Sequence, residues 1–132
     1  MKKTNIVLAL GIVALAGVAQ AETLRAITVE QNASYALDVD SIVQSNGKTA
    51  FSVQTIYTSK MTAPNNAVYN KATNTFLADC KAKTIAITGI NLIDGSGKTV
   101  FTDNPTVQQA PMIAPEKNSL SAKILQTACS VK

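Results

Sequence analysis

Two aspartates placed two residues apart are the first candidates for chemistry in this chain. Asp38 and Asp40 lie in the alternating segment Tyr35–Asp40, and on a strand residues i and i+2 point to the same face. Such a pair could hold a hard cation or serve a hydrolase as acid and base. Calcium needs about six to eight oxygen ligands, and no EF-hand glycine or glutamate follows the pair. We therefore expect the two aspartates to lie on the solvent face of an amphipathic strand. A hydrolase that uses Asp38 or Asp40 is kept as the last of three candidate functions.

A glycine-rich segment, Gly95-Ser96-Gly97-Lys98-Thr99, ends like a phosphate-binding loop. The complete motif needs a glycine five residues before Gly97, and that position is Leu92. The motif also opens a helix, whereas a strand pattern follows here. The sequence therefore predicts a hairpin turn and no nucleotide site.

Histidine is absent from the sequence, which limits the possible enzymes. A Ser–His–Asp triad is excluded, and no recognisable motif surrounds a Ser–Lys dyad. Two cysteines without histidine do not make a zinc site. We expect no enzyme activity, no catalytic residue, no metal and no cofactor.

The first 21 residues have the three parts of a secretory signal peptide. Lys2 and Lys3 precede an apolar run over residues 6–18, and Ala19-Gln20-Ala21 matches the A-x-A cleavage pattern. The run is shorter than the roughly 20 residues that span a bilayer, so no stable membrane insertion is expected. We predict a signal peptide over residues 1–21 and one exported domain over residues 22–132.

The two cysteines, Cys80 and Cys129, would remain in the exported chain. An even number of cysteines in an oxidising compartment predicts a disulfide. Closing a loop of roughly 50 residues would stabilise the fold by about 4 kcal/mol in the chain-entropy description.

The charge of the chain is only mildly basic. Removing Lys2 and Lys3 leaves ten basic and eight acidic residues, a net charge of +2. A nucleic-acid surface needs clustered basic residues, so no nucleic-acid partner is expected. The one local concentration is Lys81 and Lys83 beside Lys71, which is either a basic patch for a partner or an ordinary solvated strand face.

The mature region alternates like a series of short strands and then changes to a helical period. We predict an α+β fold: a single twisted antiparallel sheet of about six strands with one C-terminal helix packed on it. The predicted elements are strands Leu24–Glu30, Tyr35–Asp40, Phe51–Tyr57, Thr75–Lys81, Thr84–Ile93 and Lys98–Phe101, with a helix from Pro115.

Turn signals separate these elements. Asn46-Gly47 predicts a two-residue hairpin with positive φ at both positions. Gly89 predicts a bulge or a close backbone approach. Ser59–Asn70, with Pro64-Asn65-Asn66, predicts a long exposed loop.

The helix is predicted from its first residue and its apolar face. Pro115 and Glu116 suit the first turn of a helix. Leu120, Ile124 and Ala128 fall on one face with Leu125 and Cys129 beside them. The disulfide would then join this helix to the strand that carries Cys80.

Recognition of another molecule is the class of function left by this inventory. Tyr57, Tyr69 and the Asn/Thr-rich segment from Met61 to Thr75 offer amphipathic and hydrogen-bonding groups. Loops on a rigid scaffold are common binding sites, and a plain surface loop is the alternative.

The chain resembles the surface-adhesin protein E family of small bacterial envelope proteins. The segments that carry the resemblance are Tyr35–Ile42, Asn46-Gly47 leading into Phe51-Ser52-Val53, Ala78-Asp79-Cys80, Gly95 to Gly97, and the stretch from Pro115 to Cys129. The resemblance implies a twisted antiparallel sheet with a disulfide-tied C-terminal helix. It also implies attachment to host proteins such as laminin or vitronectin, or to haem, without enzyme activity.

Two positions depart from the family pattern. Phe51 stands where the family has a tryptophan, and no cysteine follows Ala21 to carry a lipid anchor. We therefore expect an exported protein, either periplasmic or secreted or at the cell surface, that is not lipid-anchored. Its expected partner is a protein, with Tyr57, Tyr69, Lys71, Lys81 and Lys83 as candidate contacts. The alternative function is a periplasmic inhibitor or immunity-like protein that blocks an enzyme.

Overall fold

The fold is known from a computed structural model that describes residues 23–131. The predicted signal peptide, residues 1–21, lies outside the described residues. Within residues 23–131, six strands precede one helix: β1 (Leu24–Val29), β2 (Ala33–Ser45), β3 (Lys48–Thr62), β4 (Val68–Asp79), β5 (Thr84–Ile93), β6 (Thr99–Asp103) and α1 (Leu120–Ser130). This confirms the predicted α+β class.

The strands form one antiparallel sheet in which every strand pairs with its neighbour in sequence, in the order β1-β2-β3-β4-β5-β6. Asn46 and Gly47 have φ values of 53° and 78°, and Ser45 pairs with Lys48 across them. The predicted two-residue hairpin between β2 and β3 is therefore confirmed.

β3 and β4 are longer than predicted, and the prediction of a long loop over Ser59–Asn70 is wrong. β3 continues to Thr62 and β4 begins at Val68, so only residues 63–67 connect them. Within this turn, the Ala63 N–H donates to Ala67 O at 2.8 Å and the Asn66 N–H donates to Ala63 O at 2.9 Å. The Pro64-Asn65-Asn66 signal marks a tight hairpin turn, and the polar residues around it belong to strands.

Gly89 lies at a bulge, as predicted. Thr75 pairs with Gly89 while the next residue of β4, Phe76, pairs with Ile87, so Thr88 is the extra residue of β5. The backbone approach is also close, because a Cβ on Gly89 would lie 2.5 Å from Thr75 Oγ1.

The helix begins later than predicted. Pro115 and Glu116 precede it, and Ser119 caps it by accepting a hydrogen bond from the Ala122 N–H at 3.1 Å. The Ser119 side chain satisfies one of the free N–H groups of the first turn, a role that proline and glutamate cannot fill from outside the helix. The apolar face is as predicted: Ile124, Leu125 and Ala128 are buried.

The main core lies between α1 and the sheet. Its largest side chains, Phe51 and Leu37, have exposed fractions of 2% and 0%, and burial of each stabilises the fold by about 1.5–3 kcal/mol. Phe51 stacks on Phe76 with ring centroids 5.6 Å apart. Phe51 thus anchors the core under the helix.

A disulfide between Cys80 and Cys129 ties the end of α1 to the turn after β4, with the two Cα atoms 5.7 Å apart. This confirms the predicted pairing. No helix within residues 23–131 has the length and apolar character needed to cross a membrane.

Candidate functional site

The two predicted tyrosines meet at one end of the sheet. Tyr57 lies near the end of β3 and Tyr69 near the start of β4, and their rings form an edge-to-face pair with centroids 5.6 Å apart. The pairing of the two strands is interrupted here: Ile56 pairs with Lys71, and the next pair is Met61 with Tyr69. The extra residues of β3 form a bulge, and this bulge lets the rings meet edge to face.

A third tyrosine, which sequence reasoning missed, stands near this pair. Tyr35 on β2 pairs with Thr55, two residues before Tyr57. Burial, followed by the proximity of Tyr69 and Tyr35, raises the pKa of Tyr57. Tyr57 therefore stays neutral at physiological pH and acts as an amphipathic ring with a hydroxyl donor.

Tyr69 also borders a cleft of about 310 Å³ at this end of the sheet. The cleft is lined by Lys60, Val68, Tyr69, Asn70, Asp94, Gly95 and Ser96. It therefore combines a tyrosine ring, an amine and a carboxylate in a small space. We call Tyr57, Tyr69 and this cleft the tyrosine end.

Part of the cleft is lined by Asp94, Gly95 and Ser96, in the glycine-rich turn between β5 and β6. Asp94 Oδ1 accepts hydrogen bonds from the Ser96 N–H, the Ser96 hydroxyl and the Lys98 N–H, at 2.7–3.0 Å. These hydrogen bonds lower the pKa of Asp94, and the largest contribution comes from the Ser96 side chain. The segment is a hairpin turn followed by a strand, as the sequence predicts.

The turn between β3 and β4 is held against the sheet beside the tyrosines. Asn65 Nδ2 donates to Val100 O at 2.9 Å, and Ala63 is buried with an exposed fraction of 3%. Ala63, Ala72 and Leu92 form a second core on which Tyr57 and Tyr69 pack. The tyrosine rings thus pack on a buried core, which lowers the entropic cost of ordering them when a partner binds.

The three candidate lysines do not form one patch. Lys71 is near the start of β4, whereas Lys81 and Lys83 are in the turn that contains Cys80. From Lys71 to the end of β4 at Asp79 the strand rises by roughly 26 Å. Lys71 pairs with Ile56 and Ile93 on its neighbouring strands, so it lies near the tyrosine end but on the face of the sheet opposite to Tyr57.

Lys81 and Lys83 stand at the opposite end of the sheet, around the disulfide. Clefts of about 450 and 470 Å³ flank the bridge, and both cysteines line both clefts. Lys48 and Lys81 line the first cleft and Lys83 lines the second. We call these three lysines and the two clefts the disulfide end.

The side chains of Asp38 and Asp40 accept hydrogen bonds from backbone N–H groups. Asp38 Oδ1 accepts from the Asp40 N–H at 3.1 Å, and Asp40 Oδ2 accepts from the Thr23 N–H at 3.3 Å. The regular pairing of β2 with β3 also breaks after Asp38. Both carboxylates therefore support an irregular stretch of strand. Within residues 23–131, no three histidine, cysteine or acidic side chains group as metal ligands would.

The chain matches a known protein family. Over residues 24–130 the chain matches the family described as surface-adhesin protein E. This range includes all six strands, the helix and both cysteines of the disulfide. No curated protein matches the chain.

Proposed function

The chain belongs to the surface-adhesin protein E family, and from this membership we propose that it is an exported, non-enzymatic binding protein that attaches to a protein partner. The membership supports a surface adhesin-like role. The proposed partner is a host matrix protein, and the proposed contact surface is the tyrosine end together with Lys71.

The observation that carries this proposal is the edge-to-face pair of Tyr57 and Tyr69 beside a cleft. Tyrosine contributes a large, rigid contact area and a hydroxyl at low conformational cost, which is why it is enriched among the residues that dominate binding energy. Val68, next to Tyr69, is 49% exposed and lines the same cleft. Apolar area and polar groups are therefore available together, as an interface needs.

Lys71 lies beside this surface, on the face of the sheet opposite to Tyr57. Its neighbours across the strands are two isoleucines, Ile56 and Ile93. A lysine between apolar residues packs its methylene stem along them while its amine stays in water. In an interface it would add charge at the edge of an apolar contact, which affects the association rate and salt dependence more than the affinity.

The test is direct binding of the purified chain to immobilised matrix proteins, with laminin and vitronectin among them. Tyr69→Ala should weaken binding to the recognised protein about tenfold to thirtyfold, the loss expected for an interface tyrosine. Tyr69→Phe keeps the ring and should stay within about threefold of the unmodified chain. A thermal melt of each variant separates loss of binding from loss of fold.

Two outcomes would contradict the proposal. Binding to every immobilised protein at background level would remove the adhesive role. Binding that Tyr69→Ala leaves unchanged, in a folded variant, would place the contact elsewhere on the molecule.

A further inference from the structure

The disulfide forms a ridge between two clefts at the end of the sheet opposite the tyrosines. One cleft, of about 450 Å³, lies against the β2–β3 hairpin, and the other, of about 470 Å³, lies against α1. Cys80 and Cys129 are both half-buried and line both clefts. A ligand that crosses the ridge would contact the two clefts at once.

The two clefts differ in chemistry. The hairpin cleft has polar walls, with Gln44, Ser45 and Asn46 near Lys48 and Lys81. The helix cleft has apolar walls, formed by Pro115, Ala122 and Leu125, with Lys83 at its border. One cleft therefore suits a charged group and the other an apolar side chain beside a charge.

The charge of this end is positive on balance, because the three lysines outnumber Asp79, the acidic residue beside Cys80. No acidic residue lines either cleft, and Asp79 in the same turn accepts a hydrogen bond from the Ala82 N–H at 3.0 Å. Within residues 23–131 the one ion pair is Lys123 with Glu30, so Lys48, Lys81 and Lys83 have no carboxylate within 4.0 Å there. Complementary charge in a ligand would be negative.

A structural role for these lysines is to balance the helix dipole, because α1 ends beside the disulfide. That dipole places only about −0.5 charge at a helix C-terminus. Three lysines exceed it several-fold, and the last turn of α1 contains no basic residue of its own. The dipole therefore leaves most of the positive charge available to a ligand.

The arrangement of the clefts suits an extended peptide. The two clefts share the disulfide as their common wall, because Cys80 and Cys129 line both of them. Side chains i and i+2 of an extended chain lie about 6.6 Å apart on the same side. A short extended segment can therefore present an apolar side chain to the helix cleft and carboxylates to the lysines around the ridge.

We propose that the disulfide end binds an extended acidic segment of a protein, with one apolar side chain on Leu125 and Pro115 and with carboxylates at Lys48, Lys81 and Lys83. This site is separate from the tyrosine end. It does not depend on the partner that the tyrosine end recognises.

The test uses a synthetic peptide, acetyl-Glu-Glu-Leu-Glu-Glu-amide, titrated into the isotope-labelled chain with its disulfide intact and followed by NMR. The expected result is a set of shifts confined to residues that line the two clefts. Replacing the four glutamates by glutamine, or the leucine by alanine, should each weaken binding at least about threefold.

Matched variants separate a local site from general attraction to a basic protein. Lys81→Gln/Lys83→Gln should weaken peptide binding about threefold to tenfold, as expected for two exposed ion pairs. Lys60→Gln/Lys98→Gln removes the same charge from the other end of the sheet and should leave it within about twofold. Equal losses from both variants, shifts spread over the whole surface, or no binding would each overturn the proposal. None of these results changes the reading of the Tyr69 test.

Discussion

Replacing Gly89 by alanine tests whether the bulge in β5 requires glycine for steric reasons. Gly89 does not have a positive φ, so the backbone itself accepts other residues. The added Cβ, however, would lie 2.5 Å from Thr75 Oγ1 and 3.2 Å from Asn104 Oδ1. The Thr75 hydroxyl is also held in place, because it accepts a hydrogen bond from Thr88 Oγ1 at 3.0 Å.

The size of the effect follows from these contacts. Forcing a methyl group into a filled site costs about 1–3 kcal/mol. Alanine also reduces the entropy of the unfolded chain, which stabilises the folded state by about 0.4–1 kcal/mol. We expect Gly89→Ala to lower the free energy of unfolding by about 1–2 kcal/mol in the natural chain.

The loss of stability caused by Gly89→Ala should disappear when the Thr75 hydroxyl is removed. Without the hydroxyl, the nearest remaining atom of residue 75 is Cβ, at 3.8 Å from the new methyl group. The remaining close contact, Asn104 Oδ1 at 3.2 Å, belongs to an exposed side chain that can move away. In a Thr75→Ala background, Gly89→Ala should therefore be neutral or stabilise the fold by about 0.5 kcal/mol, because the entropic term remains. This difference between the two backgrounds is the coupling energy of the pair.

Urea unfolding of the four chains in the double-mutant cycle measures this coupling. Gly95→Ala is the matched control, because a Cβ there would have Asn70 Nδ2 at 3.9 Å as its nearest contact, and it should not destabilise the fold. Equal costs of Gly89→Ala in both backgrounds would show that the Thr75 contact is not the reason for glycine.

Three further effects follow from the described contacts. Cys80→Ala/Cys129→Ala should lower the free energy of unfolding by about 4 kcal/mol, since the two cysteines are 49 positions apart in the sequence; urea curves of the oxidised natural chain and the variant measure it, and a loss below about 1 kcal/mol would contradict the entropic reasoning. The pKa of Tyr57 is raised, so its contribution to stability is complete below the ordinary tyrosine pKa of 10.0 and is lost as the pH rises through the pKa of the folded state. Tyr57→Phe should flatten this alkaline decline in melting temperature, and an unchanged decline would contradict the reasoning. Ser119→Ala should cost about 1 kcal/mol through loss of the helix cap, whereas the exposed Ser121→Ala should be near neutral in the same thermal melts, and equal effects would argue against the cap.

The order of the elements was predictable because local signals and the fold agree. Asn46-Gly47 defines a hairpin by its backbone requirement, and Thr84–Ile93 is a strand with the predicted bounds. The extent of β3 and β4 was not predictable. Their outer halves carry polar side chains without clean alternation, and the pairing of the two strands with each other stabilises them there.

The tyrosine end was only partly predictable, because bulges change the register. The hairpin at Asn46-Gly47 begins with Ser45 opposite Lys48, and continuing that register would put Tyr35 opposite Thr58. The irregularity between Asp38 and Val43 moves Tyr35 opposite Thr55 instead, which puts Tyr35 on the same face of the sheet as Tyr57. No turn residue or periodicity in the sequence marks a shift of this size.

The pairing of each strand with its sequence neighbour has a consequence for folding kinetics. Every ladder of the sheet closes by a local hairpin, so the sheet has low contact order and can grow one hairpin at a time, each on a time scale of roughly microseconds. The helix is different, because it must return from the end of the chain to reach β1 and β2. Docking of the helix brings Cys129 to Cys80, so oxidation would act on an assembled sheet and fix the last contact to form.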